Sequence, residues 1–384
     1  GGGGDGQGAA EPDERRGQRQ AFRQAVLARC RALRGLPAAK QGRQRGPHLH
    51  RRDLEVLEAA EASYCSLRQP EELPVAEEEV CLAVEAESSE LPAGETSLAL
   101  GAAHPSFNLL EPERKSRRGP RLMRDYAHGK KGPQISWFLA RLREMVPELA
   151  AAGGSATEAA PAPASSRPVH LLDVGGGRGD LGICVASSFA RRCRVTVVDQ
   201  NERSLAQGRA RAAALGLGGM EWLCCSISEL KLEELRHVDV VLGLHTCGGL
   251  ADAVLGLASR LQALRPKEEE DSGMPGASRP PVSLLVCPCC FHKHAQLTPS
   301  GSWPEALGED RREVLTRLAE SDDRGVSLRA MTLINSARLD AVARAYSGEG
   351  RGADFRLLAF PPALSTRNLV LQASSVAAKG LATA

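Results

Sequence analysis

The chain has 384 residues, 42% of them hydrophobic, and a formal net charge of +2. That is enough length and apolar content for one large domain with appendages, and too little net charge to draw in nucleic acid except through local patches. No apolar run approaches the ~20 residues that cross a bilayer, and eleven cysteines, several adjacent, read as thiols of a reducing intracellular compartment, the cytoplasm or an organelle, rather than as a secreted disulfide framework.

Gly1 to Gln18 is rich in glycine and charge, a composition that resists folding alone. Ala21 to Arg34 has helical periodicity, with Phe22, Val26, Cys30 and Leu33 along one side. Arg15 to Arg52 is rich in arginine and contains no acid, as in a basic arm, a solvated helix or part of an organelle-targeting segment. Leu54 to Leu67 reads as another helix, and Glu71 to Glu95 as a loose acidic stretch. Residues 1–110 are therefore expected to be a partly disordered, partly helical extension.

The charge then reverses. The stretch RKSRRGPRLMRDYAHGKKGPQ, Arg114 to Gln134, holds eight Lys or Arg and one acid, Asp125. Arg117, Arg118, Arg121, Arg124, Lys130 and Lys131 can neutralise phosphates, and Tyr126, His128 and Trp137 are near enough in sequence to stack on bases. The plain alternative is a solvated linker leading into a helix over Ile135 to Met145. Residues 111–149 form this basic segment and lead-in helix. Ala150 to Arg167, rich in Ala, Gly, Ser and Pro, is a linker.

From Val169 strand and helix patterns alternate, which implies a parallel sheet. Strands are expected at Val169–Val174, Arg194–Asp199, near Glu221–Cys225, and at Val238–Leu244 and Val282–Cys287. Helices are expected at Asp180–Ala190, Glu202–Leu215, Leu250–Leu264, Arg311–Glu320 and Leu328–Tyr346, with a polar, Pro-rich loop over Arg265–Pro281. Two closing strands, Asp354–Phe360 and Asn368–Gln372, share a hairpin-like connection that makes the last one antiparallel. Seven such strands, the last antiparallel, resemble the α/β, Rossmann-like sheet of class I methyltransferases, expected over residues 168–374 with a short tail over 375–384.

The most informative stretch is HLLDVGGGRGDLG, His170 to Gly182: a buried strand, a glycine-rich turn and the start of a helix. The next strand ends on Asp199, at the place where nucleotide-type folds hold a ribose. Two cofactors compete. Gly177, Gly179 and Gly182 spell G-x-G-x-x-G, the dinucleotide pattern, whereas Gly175, Gly177 and Gly179 preceded by Asp173 spell D-x-G-x-G-x-G. An acid at the first strand tip repels a pyrophosphate but suits S-adenosylmethionine, which carries an ammonium and a sulfonium. Asp173 then orients the loop or the ammonium, Asp199 takes the ribose, and Leu244 lines the cofactor side. The turn after the third strand offers Ser226 where an acid commonly meets the adenine amine.

The strand-four tip, LHTCGGLAD, puts His245, Thr246 and Cys247 nearest the chemistry, and imidazole is the side chain best suited to accept a proton near neutral pH. The plain reading is that His245 only shapes the turn. After strand five comes CPCCFHKH, Cys287 to His294, with His292 a second candidate base. Its crowded spacing argues against zinc, so no metal is expected. Cys287, Cys290, His292 and, from the neighbouring strand tip, Cys247 are the ligand candidates if one binds.

These residues also resemble a family. LHTCG, a Cys-Cys pair followed by an aromatic, SLRAMTLINSARL, FPPALSTRNLVL and KGPQ at Lys131–Gln134 are similar to one methyltransferase group. It includes the methyltransferase half of glutathione S-transferase C-terminal domain-containing proteins, methyltransferase-like proteins and acceptor-stem tRNA 2′-O-methyltransferases. The resemblance runs over about Lys130 to Ala373. It implies S-adenosylmethionine binding and an RNA partner. The chain departs from the group in having neither a glutathione transferase-like domain nor the Cys/His zinc modules of the tRNA enzymes.

Overall fold

Six consecutive buried residues, Val169–Val174, form a strand that is covered on both faces, as an interior parallel strand must be. It belongs to a computed structural model that describes residues 50–74, 131–150, 167–265, 279–295, 301–347 and 352–375. The expected helix over Ala21–Arg34, the residues Arg117, Arg118, Arg121, Arg124 and Lys130, most of the 150–167 linker and the 376–384 tail lie outside them.

The sheet has eight strands: β1 (Glu71–Glu72), β2 (Val169–Val174), β3 (Cys193–Asp199), β4 (Met220–Cys224), β5 (Val240–Thr246), β6 (Ser283–Pro288), β7 (Ala353–Ala359) and β8 (Leu369–Ser375). Their spatial order is β1-β7-β8-β6-β5-β2-β3-β4. β2 to β6 pair in parallel, and β8 runs antiparallel between β6 and β7. The expected antiparallel last strand and the α/β class are therefore observed. The order reverses between β2 and β5, and the crevice outside the carboxyl ends of strands at such a switch point is where open α/β sheets bind ligands.

The eighth strand corrects the expectation for the acidic stretch. Glu71 and Glu72 pair in parallel with Leu358 and Ala359, and the Leu73 N–H donates to the Ala359 carbonyl at 2.9 Å. Two exposed glutamates carry no apolar alternation, so nothing in their composition marks a strand.

The helices are α1 (Arg51–Ser63), α2 (Gly132–Met145), α3 (Asp180–Ser188), α4 (Glu202–Ala214), α5 (Leu250–Ala263), α6 (Arg312–Leu318) and α7 (Arg324–Ser347), with shorter turns between. Alternate strand residues feed two cores. Leu171, Val195, Val240, Leu285 and Val370 pack with α2 and α3 on one face, while Leu172, Val241, Leu284 and Leu371 pack with α5 and α7 on the other.

α1, which the sequence places in a separate extension, joins the second core through Leu57 and Ala60. Its Asp53 accepts from Arg317 of α6 at 2.7 Å, and beyond it Arg68 pairs with Asp340 of α7 at 2.9 Å. α2 is tied to β1 by the Trp137 indole N–H, which donates to the Leu73 carbonyl at 3.1 Å. Residues 51–73 are thus part of the same fold as the sheet. Among the described residues, no helix is long and apolar enough to cross a membrane.

Candidate functional site

The turn after β2 has Gly175, Gly177 and Gly179 at φ of 69°, 58° and 67°, the left-handed region that side chains disfavour. A Cβ at Gly179 would lie 2.6 Å from the Trp222 ring of β4, whereas one at Gly177 would meet nothing nearer than Asp199 Oδ2 at 3.9 Å. Gly179 therefore seats the turn against an aromatic floor, and Gly177 leaves open space beside the Asp199 carboxylate. The same ring sits 2.5 Å from where a Cβ of Gly208 would be, so Trp222 clamps α4 as well as the turn. Sequence reading missed Trp222. Its trace is a pair of distant glycines that share one large neighbour.

Asp199 organises the turn from β3. Its Oδ2 accepts from the Gly177 N–H at 2.9 Å and its Oδ1 from the Asn201 N–H at 2.8 Å. Each carboxylate oxygen keeps lone pairs free, so the group is held in place and still able to take two hydroxyls. Asp173 lies beneath the turn. Its Oδ2 accepts from the Gly182 N–H at 3.1 Å, and a Cβ at Gly176 would come within 2.7 Å of it. Burial pushes the Asp173 carboxyl up to about 7, against the Gly182 hydrogen bond and the Lys131 charge, which pull it down. Of the two roles expected for Asp173, the geometry supports the organisation of the loop.

Ser226 accepts from the Ser228 N–H at 3.2 Å, and its own N–H donates to Glu229 at 2.6 Å. It thus caps the short helix Ile227–Glu229 in a capping box. Its hydroxyl, expected in place of an adenine-binding acid, is engaged in this cap.

Lys131 is also corrected. It precedes α2 and forms an ion pair with Asp180, the first residue of α3. Arg211 reaches the same carboxylate at 2.5 Å. Burial pushes the Asp180 carboxyl up, but the Lys131 and Arg211 charges override it and hold the group well below the usual carboxylate range. Lys131 thus spends its charge beside the cofactor turn, where an acid at the start of α3 also meets the positive end of the helix dipole.

β5 ends two residues later than expected, so His245 and Thr246 belong to the strand. Its ladder with β6 slips between Leu244 and Thr246, and the extra residue is His245, at φ 66°. A bulge with a non-glycine residue at positive φ is a strained arrangement of the kind that re-aims side chains at sites. The His245 Nε2 atom is buried and meets no hydrogen-bond partner among the described residues. Burial, with the Lys131 charge adding to it, pushes the imidazole down to about 4. At neutral pH the ring is uncharged and can accept a proton. Leu244 packs in the core, and Thr246 is buried and donates to the Cys287 carbonyl at 3.2 Å, so it serves structure.

The cysteines are arranged differently from the spacing argument. Cys287 is buried with its sulfur toward the Arg367 carbonyl at 3.7 Å, and His292 is exposed, 3.4 Å from Glu320. Cys247, Cys289 and Cys290 instead bring their sulfurs together within 4.8 Å of one another. His292, expected as a second candidate base, thus lies beside Glu320, and Cys247 lies in the sulfur group. A second polar cluster, also missed, lies behind this turn. Arg338 of α7 donates to both oxygens of Asp252, at 3.0 and 2.8 Å, and His294 sits 2.6 Å from the same carboxylate.

Residues 130–265 match a family described as a methyltransferase domain. The chain is 35% identical over 72 residues to a ubiquinone/menaquinone biosynthesis C-methyltransferase, UbiE, from Methylobacterium nodulans, a stretch covering 19% of this chain and 29% of that protein. The chain thus spans less than a third of the curated relative it matches. Among solved structures it is similar to the S-adenosylhomocysteine-bound Podospora anserina methyltransferase PaMTH1, at 13% identity, with 68% of this chain and 83% of that one covered and a TM-score of 0.33. It is also similar to a Pyrococcus abyssi tRNA (uracil-54, C5)-methyltransferase in complex with S-adenosyl-L-homocysteine, at 13% identity, covering 64% and 38%, with a TM-score of 0.31. Residues 130–265 thus resemble a methyltransferase domain.

Proposed function

We propose that the chain is an S-adenosylmethionine-dependent methyltransferase that acts on RNA, either tRNA or rRNA. The observation that carries methyl transfer is the placement of a glycine turn and an acid at the sheet's switch point, inside the 130–265 stretch that matches a methyltransferase domain. The residues fit the cofactor. The left-handed turn over Gly175–Gly179 lets backbone approach a ligand, the space beside Gly177 opens at the Asp199 carboxylate, and that carboxylate has free lone pairs for a ribose diol. Gly175, Gly177 and Gly179 hold the methionine and ribose side, and Asp199 holds the ribose. Once bound, S-adenosylmethionine supplies an electrophilic methyl group on a sulfonium sulfur.

The chain's own contribution is position. Correctly oriented reactants lower a barrier by ~7–11 kcal/mol. In this reading His245 takes a proton from the acceptor once its buried Nε2 is exposed to it, a service needed more by a hydroxyl than by a ring nitrogen.

RNA is supported by how the basic stretch enters the fold. Lys131, the last cation of the basic stretch, meets Asp180 at the glycine turn. Six Lys or Arg at 117, 118, 121, 124, 130 and 131 include five outside the described residues that are available to phosphates in this reading.

The test is transfer of a radiolabelled methyl group to separated RNA, protein and small-metabolite fractions. RNA should be labelled, and Asp199→Ala should reduce the label at sub-saturating S-adenosylmethionine. Label confined to protein or metabolites would overturn the RNA assignment alone. No label in any fraction would overturn the enzyme.

A further inference from the structure

The strongest feature left outside that chemistry is the group of three thiols. β5 and β6 are parallel neighbours, with Leu244 opposite Cys287 and Thr246 opposite Pro288, so the turns that leave them lie side by side. Backbone bonds lock the two turns together. The Gly248 N–H donates to the Cys290 carbonyl at 3.0 Å, and the Cys289 N–H to the Thr246 carbonyl at 3.3 Å. No side chain fits between them at Gly248, where a Cβ would lie 2.7 Å from the Lys293 carbonyl oxygen. Cys247 comes from one turn, and Cys289 and Cys290 from the other.

The sulfurs are 3.2 Å apart between Cys247 and Cys289 and 3.5 Å apart between Cys289 and Cys290, with all three inside 4.8 Å. A cation bound at Zn–S lengths of ~2.3 Å in tetrahedral geometry sets its sulfurs ~3.8 Å apart, within that range. We propose that Cys247, Cys289 and Cys290 bind a thiophilic divalent cation, zinc, as a three-sulfur site bridging the turns after β5 and β6. Three sulfurs leave one tetrahedral position to water or another ligand group.

Such a site needs its thiols deprotonated. Binding replaces the thiol protons, which pass to solvent, and involves no change of oxidation state. The ion would also fix the turn that carries His245, although its binding does not depend on methyl transfer.

The experiment uses full-length protein, purified with a reductant and without chelators, and reads metal by elemental analysis. One zinc per chain is expected. The Cys289→Ser, Cys290→Ser double variant should lose at least nine-tenths of it, while Cys65→Ser, at an exposed cysteine away from the cluster, should keep it. Circular dichroism checks that the variants fold. If the double variant does not fold, chelator-stripped wild-type protein is given cobalt(II), which should produce intense sulfur-to-cobalt charge-transfer absorption and release protons. Metal-free protein without that absorption would overturn the site, as would zinc that survives the double substitution. A freshly purified chain lighter by a pair of hydrogens, with Cys247 and Cys289 disulfide-linked and no metal, would overturn it too.

Discussion

Gly179→Ala and Gly177→Ala separate two reasons for glycine in the cofactor turn. Both positions have positive φ, 67° and 58°, so an alanine at either pays ~1–2 kcal/mol for the left-handed backbone. Only Gly179 also has Trp222 in the way, with ring carbons 2.6 and 2.8 Å from its would-be Cβ. Both contacts are shorter than real Cβ atoms tolerate, and relieving such overpacking costs a further ~1–3 kcal/mol. Gly179→Ala should therefore destabilise by about 2–5 kcal/mol and Gly177→Ala by about 1–2. Trp222→Leu has its own cost, so the test is a double-mutant cycle read by denaturant unfolding. Placing alanine at 179 in the Trp222→Leu background should cost about 1–3 kcal/mol less than in the wild type, because only the φ term remains. Equal costs at 177 and 179, or no coupling between 179 and 222, would refute the steric role given to Trp222.

Asp199→Ala should weaken adenosylhomocysteine binding by about 1–3 kcal/mol, the scale of charge-assisted hydrogen bonds, as measured by calorimetry. Changing Arg117, Arg118 and Arg121 together to Ala should flatten the salt dependence of RNA binding by roughly two to three units in slope, at ~0.7–0.9 per phosphate contact, and leave cofactor affinity unchanged. His245 titrates near 4, so the acid limb of the pH–rate profile should fall well below the ordinary histidine range. Lys131→Gln removes a positive charge and should move that limb upward. His170, whose ring meets Thr196 Oγ1 at 2.8 Å, is pushed down to about 4, mainly by burial. The unfolded chain takes up this proton first, so stability is full above about pH 6.5 and falls by up to about 3 kcal/mol as pH drops toward 4. His170→Gln should flatten that decline in pH-dependent unfolding.

The elements that were legible in the sequence are those whose pattern is local. Val169–Val174 is apolar enough to be read as a two-face-buried strand, and the three glycines and Asp199 mark the turn and the acid that holds it. Leu250–Ala263 follows from helical periodicity and length, and the helix expected over Leu328–Tyr346 runs from Arg324 to Ser347. What escaped depends on partners distant in sequence. β1 exists because β7 offers an edge, and its two glutamates carry no signal of their own. Lys131 looks like one more cation of a basic run until Asp180 and Arg211 are placed around it. The sequence brings Cys247 from the neighbouring strand tip to Cys290 but groups them with Cys287 and His292, whereas the third sulfur beside them is that of Cys289. Arg338, Asp252 and His294 come together only when α7 packs on α5.

Calorimetric titration of the full-length protein with S-adenosylhomocysteine, set beside NADH, tests the central claim most directly. The glycine turn, the acid of β3 and the buried Asp173 predict saturable one-site binding of S-adenosylhomocysteine, weakened in Asp199→Ala, and no binding of NADH. Absence of S-adenosylhomocysteine binding, or tighter binding of NADH, would contradict the account.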